Sequence, residues 1–457
     1  RIETTRSVMT VYILFIFIVG YVFISTEHWH RIDKMIPAIL MMVLSWGLLF
    51  VLPNYIPQWL DPSSAELLLS KLGFVPDFVG NTSEKTALIN EALQHHLSKT
   101  AEIVVFLIGA MTLVELIDHF NGFDAVQGFF KAKKKWNLLV LLCTFAFFLS
   151  AVIDNLTATL VMIAIYRKII DNPEDRLWFA GFIVIAANAG GAWSPIGDVT
   201  TTMLWIGHKV STAPLIINTF IPSVLSIGFP LLVARFIPAF KGEIQLTEKP
   251  VITNGKREFI IGVLLFLSVP LLKSLLHIPP YMGMLLALCL FALYAEIKTK
   301  RNFKLTEVES NLTPQSPTMK SLQKVELPTI LFFLGILLTV AALESIGFIF
   351  NLGQSVQNAG ISTPLFMGIL GLASAVIDNV PLVAGAMGMF SYPMDHNTWH
   401  LLAYTAGTGG SILIIGSAAG VVAMGLEKIS FSWYLKRIAP LAFLGYLMGY
   451  LYMYLMV

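Results

Sequence analysis

The chain has 457 residues and a net charge of +2, with 56% hydrophobic residues against only 13% charged ones. Soluble domains carry about 25% charged residues, so this composition excludes a soluble globular protein and indicates a polytopic membrane protein. The net charge gives no basic patch for nucleic acid. The two cysteines, Cys143 and Cys289, lie in separate apolar runs and indicate neither a disulfide framework nor a zinc site.

Residues 1–100 are predicted to hold the N-terminal transmembrane helices and an outer loop. The apolar runs 8–25 and 35–52 are close to the length of about 20 residues that a span needs. No small-residue cleavage site follows the first run, so we expect a transmembrane helix rather than a cleaved signal peptide. Residues 53–100 are polar and contain four prolines. We predict a surface helix at 83–98 and the next span at 101–117.

Residues 137–165 form an apolar run of 29 residues, which is too long for one upright span. Basic residues flank the run at both ends, Lys135 on one side and Arg167 with Lys168 on the other. Because basic residues favour the cytoplasmic side of a membrane, we predict a re-entrant hairpin with Asp154 and Asn155 at its tip. One long tilted helix is the alternative.

Residues 177–207 are another over-long apolar run, and the segment 188–198 inside it contains three glycines and a proline. Such a segment cannot continue a regular helix, so we predict two half-helices joined by an unwound turn at membrane depth. A span at 214–236, a helix pair at 259–276 and 280–297, and a polar linker at 298–324 are expected to follow.

The second half of the chain repeats the first. The hexapeptide 150–155 recurs letter for letter at 374–379, which predicts a second hairpin at 361–390 and a second broken helix at 399–426. This arrangement places 23 of the 30 Lys and Arg residues on one face of the membrane and seven on the other. The first face is then cytoplasmic, and the two repeats enter from opposite faces, so we predict an inverted repeat. The predicted domains are an N-terminal region 1–100, a first repeat 101–240, a connector with a cytoplasmic linker 241–325 and a second repeat 326–457.

The polar residues at the hairpin tips and unwound turns are the candidate site. Inverted repeats with discontinuous helices are the architecture of alternating-access transporters, and an acid within apolar sequence costs about 2.5–3.5 kcal/mol on insertion scales. The candidate ion ligands are Asp154, Asn155, Thr157, Asn188, Asp198, Thr200, Thr201, Asp378 and Asn379. Glu115 is a candidate for a proton route. The alternative for each Asp-Asn pair is that it caps a half-helix.

The chemistry of these residues favours a small cation. Oxygen ligands with one or two carboxylates suit a hard cation, whereas Asp154, Asp198 and Asp378 would repel an anion. A carboxyl group away from water holds its proton more tightly, and a neighbouring acid adds to this effect. The same site can therefore take H⁺ or Na⁺, and competition between them is the simplest route to exchange.

The two halves differ in their polar residues. In the second half Asn188 is replaced by Gly407, Asp198 by Ser417 and Thr200 by Ala419. We therefore expect the first half to carry most of the ion binding. Asp378 and Asn379 are left with two readings, a second ion position or a cap for their hairpin.

Three segments resemble the NhaD-type sodium/proton antiporters, which belong to the ion-transporter superfamily together with arsenite and citrate transporters. They are Ser-Ala-Val-Ile-Asp-Asn-Leu-Thr-Ala-Thr at 150–159, the segment from Asn188 to Thr201, and the second hexapeptide at 374–379. The resemblance implies a dimeric elevator-type fold and exchange of Na⁺, with Li⁺ as a further candidate, for H⁺ in a bacterial inner membrane. Carried over, it makes Asp154, Asn155, Asn188, Asp198, Thr200 and Thr201 ion-site residues, supported by Ser150.

The expectation from the sequence is thus an all-α polytopic transporter with two re-entrant hairpins and two discontinuous helices. It exchanges cytoplasmic Na⁺ for external H⁺, and a Na⁺- or H⁺-coupled carrier of dicarboxylate, citrate or arsenite is the alternative. No HExxH, Walker A or nucleophile-elbow motif is present in the sequence, so no enzyme is expected. The expected partners are small cations, the lipid bilayer and a second copy of the chain, with no cofactor and no nucleic acid.

Overall fold

The computed structural model describes residues 2–26, 31–52, 82–124, 130, 132–167, 169–244, 255–303, 316–376 and 378–456. Within these ranges the chain is helical, and its β-structure is a single isolated bridge between Lys134 and Glu243. The described ranges hold nineteen α-helices, of which the first eight are α1 (Ile2–Ser25), α2 (Met35–Val51), α3 (Thr82–His119), α4 (Lys135–Ser150), α5 (Asn155–Arg167), α6 (Pro173–Gly191), α7 (Val199–Ile206) and α8 (Thr212–Ala234). The others are α9 (Lys256–Leu276), α10 (Pro280–Phe303), α11 (Pro317–Lys324), α12 (Leu327–Ser345), α13 (Phe348–Asn358), α14 (Thr363–Ala373), α15 (Asn379–Met389), α16 (Asn397–Gly409), α17 (Ala418–Glu427), α18 (Phe431–Arg437) and α19 (Ala439–Met456).

The protein is a polytopic membrane protein. Among the described residues, six helices are long and apolar enough to cross a membrane: Ile89–His119 within α3, α8, α9, Pro280–Thr299 within α10, α12 and α19. Large apolar side chains such as Leu264 on α9 and Leu293 on α10 are more than half exposed. An exposed apolar surface of this kind suits contact with lipid rather than water.

Helix α3 corrects the predicted N-terminal organisation. The surface helix predicted at 83–98 and the span predicted at 101–117 form one continuous helix of 38 residues, Thr82–His119. No proline or glycine lies between residues 82 and 108, so nothing breaks the helix where the composition changes from polar to apolar. The predicted domain boundary after residue 100 therefore falls inside a helix. Most of the predicted outer loop, residues 53–81, lies outside the described residues.

The linker region also differs from the prediction. Helix α10 continues to Phe303, and helix α11 (Pro317–Lys324) lies within the stretch that was predicted as a polar linker. Ser316 caps α11 by accepting a hydrogen bond from the backbone of Met319. Helix α13 was not predicted. It is a short amphipathic helix between α12 and the second hairpin segment.

The centre of the molecule is formed by α6 and α16, the first parts of the two interrupted segments. Every residue from Phe179 to Gly191 on α6 is buried, and so is every residue from Thr398 to Gly409 on α16. The two helices pack against each other. Both end in short turns, after which the chain continues as α7 and α17.

The helix ends occur close to where the motifs predicted them. Helix α4 ends at Ser150 and α5 begins at Asn155, so this run is two helices rather than one long tilted helix. In the second half, α14 ends at Ala373 and α15 begins at Asn379. The entry of these helix pairs from one side of a membrane stays a prediction.

The two halves make matching contacts inside the helix bundle. The Ser150 hydroxyl donates to the Ala187 carbonyl at 2.6 Å, and the Ser374 hydroxyl donates to the Ala406 carbonyl at 2.9 Å. Ser150 is the last residue of α4 and Ser374 directly follows α14. Each serine binds the interrupted helix of its own half. The internal repeat read from the sequence is therefore also a repeat of contacts.

Two glycines let these helices approach closely. A Cβ at Gly190 would lie 2.2 Å from the Phe147 carbonyl oxygen, and one at Gly409 would lie 1.9 Å from the Gly371 carbonyl oxygen. No side chain fits at such distances. The glycines therefore set the spacing between α4 and α6 and, in the second half, between α14 and α16.

Candidate functional site

Four interruptions in the helices bring polar side chains together. They lie between α4 and α5, between α6 and α7, between α14 and α15, and between α16 and α17. Helix α5 of the first half packs against α17 of the second half, and α15 of the second half packs against α7 of the first. Each half therefore places residues beside an interruption that belongs to the other half.

Asn188 joins the two halves. Its side chain lies on α6 with no exposed surface, and its Nδ2 donates to the Val184 carbonyl at 2.9 Å and to Ser417 Oγ at 3.0 Å. Its Oδ1 accepts from Asn155 Nδ2 at 3.1 Å. Both N–H groups of the amide are used in this way. The geometry fits a bridge between the two interruptions, with one oxygen lone pair left for an ion.

Asp198 is the buried acid of the site. The residue is 3% exposed and directly precedes α7. Its Oδ2 accepts from Thr200 Oγ1 at 2.9 Å and from Asn379 Nδ2 at 3.1 Å, while its backbone oxygen accepts from Thr201 Oγ1 at 2.9 Å. Asn379 belongs to the second half, so this carboxylate receives donors from both halves.

Asp154 caps helix α5. Its Oδ1 accepts from the Thr157 backbone N–H at 2.8 Å, and its Oδ2 accepts from Thr157 Oγ1 at 2.7 Å. The first of these is the N-cap bond that a short polar residue makes three residues into a helix. The capping alternative raised for this residue is therefore present in the structure. The partly exposed carboxylate also lies next to Asn155, which binds Asn188.

Asp378 also caps its helix, but it has a cationic neighbour. Its Oδ1 accepts from the Val380 backbone N–H at 3.2 Å, and its Oδ2 lies 3.9 Å from Lys34 Nζ. Lys34 directly precedes α2, outside both repeats. The sequence interpretation missed this lysine, because a basic residue before an apolar run is the ordinary signal of a membrane boundary.

Two of the remaining predicted residues have defined places. Ser150 holds the end of α4 against α6 through its bond to Ala187, one residue before Asn188. Glu115 lies on α3, and its Oε2 is 3.6 Å from Lys324 Nζ on α11. Its part in a proton route stays a prediction.

The arrangement combines acids with neutral polar groups. In the described part of the chain, no Lys, Arg or His nitrogen lies within 4.0 Å of the Asp154 or Asp198 carboxylate. The same ranges contain no group of three or more His, Cys, Asp and Glu side chains that could hold a metal ion. Carboxylate, hydroxyl and amide oxygens without a cationic partner suit a proton or a hard monovalent cation better than an anion.

Comparison with known proteins agrees with the helix pattern and the motifs. The family model described as citrate transporter (CitMHS) matches residues 12–401. Sodium/proton antiporter 1 of Arabidopsis thaliana is 40% identical over 397 residues, covering 85% of this chain and 67% of the plant protein. The Na⁺/H⁺ antiporter NhaD of Vibrio parahaemolyticus is 32% identical, covering 78% of this chain and 90% of that protein. NhaD of Vibrio cholerae is 28% identical, covering 98% and 92%. This chain therefore belongs to the citrate transporter family and is related to sodium/proton antiporters of the NhaD type.

Proposed function

We propose that the protein exchanges cytoplasmic Na⁺, with Li⁺ as a further candidate, for external H⁺. The observation that carries the proposal is the environment of Asp198, a buried carboxylate with a Thr200 hydroxyl from its own half and the Asn379 amide from the other half. Relatives named as sodium/proton antiporters, with 28–40% identity, support this substrate pair.

Competition for one carboxylate accounts for the exchange. When Asp198 is ionised, its oxygens attract Na⁺, and the Thr200 hydroxyl oxygen adds a further neutral ligand of the kind that hard cations prefer. When Asp198 is protonated, the charge that holds Na⁺ is gone. Proton and Na⁺ therefore exclude each other at the same oxygens. We assign Asp154, Asn155, Thr157, Asn188 and Thr201 to the frame around this carboxylate.

Alternating access is supported by the reciprocal packing of the two halves. Helix α5 contacts α17 and helix α15 contacts α7, so corresponding elements meet corresponding partners. A two-fold relation between the halves produces such a pattern, and an inverted repeat is the form that this relation takes in many secondary transporters. We propose that the halves enter from opposite faces and that the interrupted helices move as a unit in an elevator-type cycle within a homodimer.

The bacterial inner membrane is the proposed location, because the NhaD relatives that span almost the whole chain are bacterial. Plant relatives are also present among the matches, so an organellar membrane is the competing location. Expression of a fluorescent fusion in the source organism distinguishes the two.

A coupled anion carrier is the second candidate, because the matching family model is that of a citrate transporter. The charge of the site opposes it. The described residues place Asp154 and Asp198 at the interruptions without a cationic partner, and an anion would have to approach these carboxylates. Uptake of radiolabelled citrate, succinate or arsenite by proteoliposomes tests this candidate directly.

The decisive experiment uses purified protein in proteoliposomes loaded with a pH-sensitive dye. Adding Na⁺ outside acid-loaded vesicles is expected to raise the internal pH, while K⁺ and citrate are not. Asp198→Asn is expected to lower this exchange at least about 100-fold, because the charge that Na⁺ binds is removed. The matched control is Glu174→Gln, which removes an exposed acid from the same interrupted segment. Wild-type exchange by Asp198→Asn, or citrate uptake without any Na⁺ response, would refute the proposal.

A further inference from the structure

The two identical hexapeptides are followed by different residues at one decisive place. Three residues after Asp154 stands Thr157, whereas three residues after Asp378 stands Pro381. Thr157 uses both its backbone N–H and its hydroxyl to bind the two oxygens of Asp154. Proline has neither an N–H nor a hydroxyl. Asp378 therefore has no counterpart of the pair of bonds that Asp154 receives.

Lys34 gives Asp378 a charged partner, whereas Pro381 offers it no hydrogen bond. Its Nζ lies 3.9 Å from Asp378 Oδ2 and 4.4 Å from the centre of the Phe332 ring on α12. The side chains of Lys34 and Asp378 are 24% and 18% exposed, so most of this pair is away from water. An ammonium between a carboxylate and an aromatic face is held by both attractions. Lys34 is thus placed to act as a fixed partner of Asp378.

The charge of Asp378 also bears on the proposed ion site. Asp378 directly precedes Asn379, whose Nδ2 donates to Asp198 Oδ2 at 3.1 Å. An unpaired carboxylate at this place would either attract a second cation or oppose the ionisation of Asp198. With Lys34 as its partner, the second hairpin turn is close to neutral.

We infer that Lys34 is a built-in counter-ion that takes the cation position at the second hairpin turn, so that each chain binds a single transported cation, at Asp198. The inference rests on the proposed function, because it states how many cations that function moves per chain. It also decides between the two readings of Asp378, which caps its helix and pairs with Lys34 instead of binding an ion. Lys34 is then a positioning residue and does not touch the transported ion.

The test counts bound Na⁺ by equilibrium dialysis of the purified full-length protein with radioactive Na⁺ at alkaline pH. Wild type and Lys34→Arg are expected to bind about one Na⁺ per chain, because both keep a cation beside Asp378. Lys34→Met keeps the length of the side chain without its charge and is expected to bind about two. The double variant Lys34→Met/Asp378→Asn is expected to return to about one, because the unpaired carboxylate is gone.

The outcomes separate this inference from the proposed function. Absence of Na⁺ binding by wild type refutes the proposed function. Two Na⁺ per chain in wild type, or one in a monodisperse Lys34→Met variant, refutes the inference alone. If Lys34→Met aggregates, the single variant Asp378→Asn decides. It is expected to bind about one Na⁺ per chain, as wild type does, because Asp378 binds no transported ion. Loss of Na⁺ binding in monodisperse Asp378→Asn overturns the inference.

Discussion

Asn188→Ala tests whether Asn188 bridges the two halves or is chiefly an ion ligand. The substitution removes hydrogen bonds to Val184, Ser417 and Asn155 from a fully buried position. A buried hydrogen bond contributes about 1 kcal/mol, and a buried polar group left without a partner costs about 1–3 kcal/mol. With the Asn155 amide and the Ser417 hydroxyl each losing a partner, we expect a loss of about 2–4 kcal/mol in the free energy of unfolding.

The assay is the thermal midpoint of the detergent-solubilised protein, followed by gel filtration after heating. Asn358→Ala, an exposed asparagine at the end of α13, is the matched control and is expected to keep the wild-type midpoint. A bridge further requires coupling with Ser417→Ala. Because both single variants lose the same bond, the double variant is expected to be about 1 kcal/mol more stable than the sum of the two losses predicts. An unchanged midpoint in Asn188→Ala, together with weaker Na⁺ binding, would refute the bridge and make Asn188 an ion ligand.

Two further predictions concern contacts between helices away from the site carboxylates. Gly409→Ala would place a Cβ 1.9 Å from a carbonyl oxygen of α14 and is expected to prevent correct folding. The control Gly425→Ala has nothing within 4 Å of the new Cβ and is expected to express normally. The yield of monodisperse protein checks both, and a well-folded Gly409→Ala would contradict the close approach. Glu427, with a side chain 3% exposed, lies 2.6 Å from Arg167 and 3.4 Å from Arg176. Replacing both arginines by Gln leaves this buried acid without an ion-pair partner and is expected to lower the free energy of unfolding by about 3–5 kcal/mol, measured by thermal unfolding. Arg167→Gln alone is expected to cost much less, because Arg167 is itself 39% exposed and Arg176 remains.

The helix interruptions were predictable because local chemistry determines them. The segment 188–198 holds three glycines and Pro195, which no regular helix accommodates. The repeated hexapeptide marked the ends of α4 and α14 for a similar reason, since an Asp-Asn pair caps the helix that follows it. Helix α3 was mispredicted because polarity was taken as a sign of separate structure, although its sequence contains no helix-breaking residue in the polar part.

The pairing of side chains could not be read from the sequence. Asn188 and Ser417 are 229 positions apart, and Asn379 and Asp198 are 181 positions apart. These contacts arise from the packing of one half against the other, which a local pattern does not encode. The distance from Lys34 to Asp378 likewise depends on how α2 lies against the second half, so its membrane-boundary pattern gave no sign of the pair. The candidate residues could therefore be listed from the sequence. Their separate roles could not: Asn188 as a bridge between the halves, Asp154 and Asp378 as helix caps, and Asp198 as the buried carboxylate.

The close backbone contacts at Gly190 and Gly409 separate the shape of the site from its chemistry. Carbonyl groups and glycines fix where the interrupted helices meet, and neither contact involves the acids, amides or hydroxyls of the proposed ion site. Side chains at the tips can therefore change without moving the backbone that presents them. The position of the site and the chemistry of its side chains are therefore set by different residues.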